Sequence, residues 1–314
     1  MIISKSFIKS FSLVTERGAY GASKFKGKND KIAADQAAVD EMRFELNKID
    51  MKGKIVIGEG EMDEAPMLYI NEKVGTQKGK KFDIAVDPLE GTNFTAKNLP
   101  NALSVLAAAG RGSLLNAPDM YMEKIAIGPN LPNGILNLDF SVRKNIEQLS
   151  KFKKIDPSKL TACVLKRPRH NSIIKTLKDM RVKINFITDG DLSGAISVAN
   201  SKTGIDIYIG IGGAPEGVLS AAALKCLGCQ MHTRLVFRNS EEKKRAIKLG
   251  IKNIKKKYTI DDMVKGDTIF CATGVTSGSL VNGIKDLGKN FSSETLVLHY
   301  SSKTNKIIKN KHKK

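Results

Sequence analysis

Tryptophan is absent from this 314-residue chain, proline occurs nine times, and aromatic residues make up 6% of it. A core with so few large rings is built from Ile, Leu, Val, Ala and Met, as in helix-covered parallel sheets, so the composition favours an α/β protein. Long hydrophobic runs are also missing. No stretch approaches the roughly 18 uninterrupted apolar residues that a membrane span needs. At the N-terminus, Lys5, Lys9, Glu16 and Arg17 break MIISKSFIKSFSLVTERG before a signal-peptide core can form, and the segment reads as a first helix. The expectation is a cytoplasmic protein with no membrane partner.

Cysteine is scarce, at positions 163, 226, 229 and 271. Cys226 and Cys229 form a CxxC pair inside AAALKCLGCQM, but a structural zinc site needs two more ligands. The thiols read as small reduced hydrophobes. Of the four histidines, His170 alone lies near a plausible site, while His232, His299 and His312 fall in a loop, a strand and the tail. No Ser/His/Asp or Cys/His set can be assembled, which excludes those forms of nucleophilic catalysis.

Acidic residues are outnumbered 32 to 52, for a formal net charge of +20. Such a charge invites a nucleic-acid reading. The lysines, however, are scattered through KFKGKND, KFKKID, IKNIKKKY and NKIIKNKHKK. They lack aromatic interleaving and any helix-turn-helix or zinc-finger pattern, so no specific nucleic-acid partner is expected. The short basic tail after Lys303 is expected to be mobile or loosely docked.

Strand-like runs at 54–58, 82–86, 160–166, 182–187, 205–211, 267–272 and 295–300 alternate with helical patterns in a βα rhythm, which predicts a layered α/β sandwich. The polar segment 145–160, with Pro157, is the expected join between lobes 1–155 and 156–314.

Several carboxylates occupy unusual positions. In the helix beginning near Asn29 or Asp30, the residues Ile32, Val39, Met42, Leu46 and Ile49 form an apolar stripe, and Asp35 falls on the same face. A buried lone carboxylate is strongly disfavoured, so either Lys31 one turn earlier or a bound metal must meet it. After the strand KIVIG come Glu59, Glu61, Asp63 and Glu64, four acids in six residues at a strand's carboxyl end, easier to explain with cations bound. The strand FDIAV ends at Asp87, and Pro88 and Gly91 turn the chain so that Asp87 and Glu90 emerge from one corner, with the Thr92 hydroxyl beside them to orient a water. Finally IDIYIGIGGAPEG is a strand, a Gly-Gly turn and a helix starting near Pro215. Glu216 in the first turn can complement the macrodipole or ligate a metal.

Groups suited to phosphate follow strands in the second half. VLKRPRHN offers Arg167, Arg169 and His170. NFITDGDLSG offers Asp189 and Asp191, acids that suit sugar hydroxyls. With no side-chain nucleophile in view, the chemistry indicated is a metal-activated water attacking phosphorus in line.

The blocks IVIGEGEMDEAPMLYINEKVG, DIAVDPLEGTN, LNAPDMYMEK, RPRH, TDGD and YIGIGGAPEGVLSAA resemble the class II fructose-1,6-bisphosphatases, with matches from about residue 12 to 300. DPLEGT alone is similar to a motif of the wider lithium-sensitive phosphatase superfamily. The resemblance implies an αβαβα sugar-phosphatase sandwich that hydrolyses the 1-phosphate of fructose 1,6-bisphosphate, acts in gluconeogenesis, and forms a homodimer or homotetramer. It implies Asp35, Glu59, Asp87, Glu90 and Glu216 as ligands of Mn2+ or Mg2+. Lys31, Asp35 and Thr92 become catalytic residues, and Glu90, Gly91 and Thr92 contact the phosphate. Tyr121, Arg167, Pro168, Arg169, Asp189, Gly190, Asp191 and Gly213 are expected to line the sugar-bisphosphate pocket. Arg167 stands where a lysine is expected, NFTAKN after Thr92 departs from the pattern, and the stretch from Arg238 to Asp267 is short. The alternatives are a dual fructose-1,6-/sedoheptulose-1,7-bisphosphatase, an inositol phosphatase and, in a different class, a basic nucleic-acid-binding protein.

Overall fold

The computed structural model describes residues 1–58 and 68–314. It divides into two compact units, Met1–Asn116 with Val264–Lys314, and Ala117–Met263. This differs from the expected boundary near residue 155. The segment 145–160 lies inside the second unit, where Ile146 and Leu149 are fully buried in its core.

The first unit opens with helices α1 (Ser6–Ser23) and α2 (Lys31–Leu46). They pack against each other closely because glycine faces alanine. A Cβ on Gly21 would fall 2.3 Å from the Ala37 carbonyl oxygen, so only glycine allows this approach. Asp30 caps α2, its Oδ1 accepting from the Ala33 N–H at 2.9 Å. Strands β1 (Met51–Ile57), β2 (Lys73–Val74) and β3 (Lys80–Glu90), the short helix α3 (Thr92–Ala96) and strand β4 (Leu103–Gly110) follow.

The second unit holds β5 (Tyr121–Ile127), α4 (Val142–Lys153), β6 (Thr161–Leu165), α5 (Asn171–Asp179), β7 (Lys183–Ile187), α6 (Leu192–Ser197), β8 (Ile207–Gly213), α7 (Ala214–Cys226), β9 (Gln230–Val236), α8 (Ser240–Lys248), β10 (Lys257–Thr259) and α9 (Ile260–Met263). The chain then returns to the first unit with β11 (Thr268–Gly274), β12 (Lys285–Leu287), β13 (Asn290–His299) and β14 (Thr304–Lys313).

Among the described residues the first unit forms an eight-stranded sheet, β12-β13-β11-β4-β3-β1-β2 with β14 on β13, and the second a six-stranded sheet, β10-β9-β5-β8-β6-β7. The class is therefore mixed α/β. The βα rhythm suggested parallel sheets, but among the described strands only β1 with β3, and β6 with β7 and β8, run parallel. The strands that the rhythm left out, β2, β4, β5, β9, β10, β12 and β14, all pair antiparallel.

Two other expectations are corrected. Ile32 does not join the apolar stripe of α2: it is 84% exposed, and Ala34, Ala38, Val39, Met42 and Leu46 make the buried side. The basic tail is a ten-residue strand, β14, paired with β13 from Asn290↔Lys313 to His299↔Thr304. The buried carboxylate of Glu16 on α1 fastens it from behind, accepting from Asn310 Nδ2 at 2.9 Å and lying 2.7 Å from His312 Nε2. In the core of this unit Phe7, Phe11 and Phe82 meet at centroid distances of 4.9–5.7 Å. The four cysteines are free thiols, Cys163 and Cys271 buried in strands β6 and β11 as expected.

Candidate active site

In the first unit, the candidate residues cluster at the carboxyl end of β3. The register of β3 against β4 shifts between Asp87 and Glu90, where Pro88 removes a ladder donor. Gly91 then takes a left-handed conformation, φ 80°, immediately before α3. A Cβ there would sit 2.7 Å from the Phe94 ring, so glycine is needed twice over. This kink turns Asp87 and the buried Glu90 toward each other, with a carboxylate oxygen of each within 4.8 Å. Thr92 follows as the first residue of α3. Helix α2 packs on α3, Ala34 and Ala38 joining Phe94 in one apolar cluster, which places Lys31 and Asp35 on a helix anchored to this corner. Lys31 is exposed and Asp35 half-buried. Glu59, with its neighbours Glu61, Asp63 and Glu64, lies outside the described residues.

Asp83 shows what a structural carboxylate on the same strand looks like. It accepts from the Ser113 and Leu114 N–H groups at 3.0 and 3.3 Å and pairs with Arg111 at 3.1 Å. Burial nevertheless pushes its carboxyl above the ordinary range, against those bonds and the Arg111 charge. Asp87 and Glu90 present two hard oxygen donors at a strand end, with neither thiol nor imidazole in the group. That donor chemistry fits magnesium or manganese better than zinc or copper.

In the second unit, a cavity of about 530 Å³ gathers most of the remaining candidates: Tyr121, Arg167, Arg169, Gly190, Gly213 and Glu216. Asp189 also lines it and pairs with Arg167 at 3.3 Å, while Arg167 Nη1 donates to the Thr188 carbonyl at 2.6 Å. Arg169 Nε donates to the Ile211 carbonyl at 2.9 Å, and its guanidinium lies 4.7 Å from the Tyr121 ring centroid. Pro168 opens a short 3-10 turn and is not among the residues lining this cavity.

His170 has a structural task. Its buried ring accepts the Ile211 N–H at Nε2, 2.8 Å, so Nδ1 carries the proton and donates to the Leu165 carbonyl at 2.5 Å. Burial lowers its pKa and keeps it neutral. Asp191 lines the cavity as expected, but its carboxylate is held inward. It is 3% exposed, and its oxygens take bonds from the buried Lys124 and Tyr208. Glu216 sits in the first turn of α7, and burial pushes its carboxyl upward against the pull of the Lys124 charge.

Arg238 and Arg245 also line this cavity and were not foreseen. Arg238 follows β9, lies 5.4 Å from the Tyr121 centroid and is held by Glu242, while Arg245 Nη2 donates to the Asp119 carbonyl at 3.1 Å. For Arg238 the signal available was the one used for Arg167, a basic residue just after a strand; Arg245 lies inside α8 and carried no such signal.

No helix among the described residues is long and apolar enough to cross a membrane. The family model for bacterial fructose-1,6-bisphosphatase, glpX-encoded, matches residues 5–312. Fructose-1,6-bisphosphatase class 2 of Haemophilus influenzae is 42% identical over 324 aligned positions, covering 99% of this chain and 97% of that protein. Fructose-1,6-bisphosphatase 1 class 2 of Escherichia coli K12 is 42% identical over 315, covering 96% and 94%. Among solved structures, the IMPase of Thermotoga maritima aligns at 15% identity over 61% of this chain and 70% of its own, with a TM-score of 0.32, too low to place the chain in that protein's fold. With the family model spanning nearly every residue and two curated relatives matching end to end, the chain belongs to the glpX-encoded bacterial fructose-1,6-bisphosphatase family.

Proposed function

We propose that this chain is a phosphatase that hydrolyses the 1-phosphate of fructose 1,6-bisphosphate, releasing fructose 6-phosphate and inorganic phosphate, as a step in gluconeogenesis. A bisphosphate substrate asks for two kinds of anion-receiving surface, one for the ester that is cut and one for the phosphate that is kept. The observation that carries the reading is the arginine-lined cavity of about 530 Å³, in a chain of this family that also presents hard carboxylate oxygens at the end of β3.

The proposed cation ligands are Asp35, Glu59, Asp87, Glu90 and Glu216, and the cation is manganese or magnesium. When bound, it would supply positive charge to the ester oxygens as the P–O bond breaks. The Thr92 hydroxyl orients the attacking water, and the Gly91 and Thr92 backbone, at the left-handed turn into α3, contacts the phosphate. Lys31, exposed at the start of α2, adds a second positive charge for the oxygens of the departing phosphate. Arg167, Arg169 and Tyr121 receive the retained phosphate, and Asp189 faces sugar hydroxyls. We place the enzyme in the cytoplasm, as a homodimer or homotetramer without a specific nucleic-acid partner.

The test is phosphate release from fructose 1,6-bisphosphate with manganese, with magnesium and with chelator, comparing wild type with Asp87→Ala and Thr92→Ala. Metal-dependent release that collapses in both variants is the expected result. Release that persists in chelator would overturn the cation's role, and no release with either metal would overturn the activity.

A further inference from the structure

Lys124 has no solvent exposure. It stands in mid-sheet on β5, between Gly210 of β8 and Thr233 of β9. Its Nζ donates to both oxygens of Asp191 at 2.8 Å, and the buried Tyr208 hydroxyl donates to Asp191 Oδ2 at 2.8 Å. A fully buried ion pair gains little stability over apolar side chains of similar volume, because desolvating two charges offsets most of their attraction. Its presence in the middle of a sheet therefore calls for a role in geometry.

The pair presses on the turn that leads into α7. A Cβ on Gly212 would land 1.9 Å from Asp191 Oδ2 and 3.1 Å from Lys124 Nζ, and one on Gly217 would come 3.3 Å from Lys124 Cε. Gly213 is pressed in turn by the Glu216 carboxylate, whose Oε2 would lie 1.9 Å from a Cβ there. On its other side, Asp191 closes the Asp189–Gly190 loop and starts α6, its carbonyl accepting the Ala195 N–H at 2.9 Å. One carboxylate, fixed by one ammonium and one phenol, thus lines the cavity between the Asp189–Gly190 loop and the Gly212–Gly213 turn.

We infer that Lys124 is a positioning residue for this cavity: it holds Asp191, and through Asp191 it sets the spacing between the Asp189–Gly190 loop and the Gly212–Gly213 turn. Lys124 does not touch the sugar phosphate. The inference rests on the reading that this cavity receives a phosphorylated sugar.

The experiment measures two quantities, KM and kcat for fructose 1,6-bisphosphate with manganese, and calorimetric binding of fructose 6-phosphate. They are read on wild type, Lys124→Met, Asp191→Asn, the double variant, Tyr208→Phe and Asn145→Ala. Asn145 serves as the control for stability alone, being buried and, among the described residues, bonded through its side chain to the 137–141 turn. Lys124→Met and Asp191→Asn should each raise KM and weaken fructose 6-phosphate binding about tenfold, the scale of one charge-assisted bond, with kcat changed much less. Because one residue acts through the other, the double variant should be no worse than either single. Tyr208→Phe keeps the ion pair and should raise KM about threefold, the scale of one neutral bond, so it carries the test where Lys124→Met fails to fold. Asn145→Ala should lower the melting temperature and leave KM unchanged. A folded Lys124→Met with wild-type KM and binding, additive losses in the double variant, or an unmoved Tyr208→Phe would overturn the inference. Wild type that neither hydrolyses the bisphosphate nor binds fructose 6-phosphate would defeat the cavity reading itself.

Discussion

At the end of β3, Asp87, Glu90, Gly91 and Thr92 come from six consecutive residues. The arginine cavity instead draws Tyr121 from β5, Arg167 and Arg169 from the turn after β6, Asp189 from the loop after β7, Glu216 from α7, and Arg238 from beyond β9. The first arrangement is set by backbone, through a register shift, a proline and one positive φ. The second is set by side chains, each arginine braced by a neighbour: Thr188 and Asp189, Ile211, Glu242, Asp119. A locally encoded site should fail abruptly when one residue changes. A distributed one should weaken by degrees.

The largest test of that contrast is Asp87→Ala. Losing a carboxylate from the hard-oxygen set should lower kcat about a thousandfold, equivalent to about 4 kcal/mol of transition-state stabilisation, as read by phosphate release at saturating manganese. Next is Gly91→Ala, where a left-handed backbone and the Phe94 ring both oppose a Cβ. It should cost about 1–3 kcal/mol in urea denaturation and lower kcat as well. Arg169→Ala should mainly raise KM, by roughly ten- to thirtyfold for one charge-assisted contact, with kcat within a few fold. The Arg238 side chain is 62% exposed and held by Glu242, so Arg238→Ala should raise KM only a few fold. An Arg169→Ala variant that fell as far as Asp87→Ala would erase the distinction between the two sites.

The smallest effect tests the first unit away from its site. Glu294 pairs across strands with Lys309, and the bonds from Lys309 and Asn282 hold its pKa at about 2, below the ordinary 4.5. Since the folded value is the lower one, the unfolded chain takes up this proton first as pH falls. The stability it contributes is present above about 4.5 and is lost between there and about 2. Glu294→Gln should flatten this part of the acid limb in thermal melts read from pH 5 to 2, by tenths of a kcal/mol for so exposed a partner lysine.

The same contrast explains what could be read in advance. DPLEGT announces its corner because strand, turn and helix start occupy neighbouring positions, and the strands IYIGI and IFCA declare themselves by apolar runs. The strand LSVLAAAG gave no such signal: alanine is poor in β-propensity, and β4 forms because every one of its residues is buried between β3 and β11. Lys124 was hidden for a related reason. A lysine in YMEKIAI reads as the wet face of a strand, and nothing local reveals that its partner lies 67 positions away. The tail NKIIKNKHKK looks like a solvated terminus until Ile308, Asn310 and His312 are seen to alternate inward. A boundary drawn from composition at Pro157 could not anticipate that residues beyond Val264 return to the first unit.

Among the described residues β14 pairs only with β13, leaving ten residues of open hydrogen-bonding edge. Such an edge is a template on which a second chain can add a strand and begin a fibre. Here Lys309, Lys311 and Lys313 recur at every second position of the exposed face. Two copies meeting edge to edge would bring like charges into register, a repulsion that screening by salt would relax. Part of the surplus of lysine that first suggested an affinity for polyanions would thus oppose self-templated pairing at this edge, and less so as ionic strength rises.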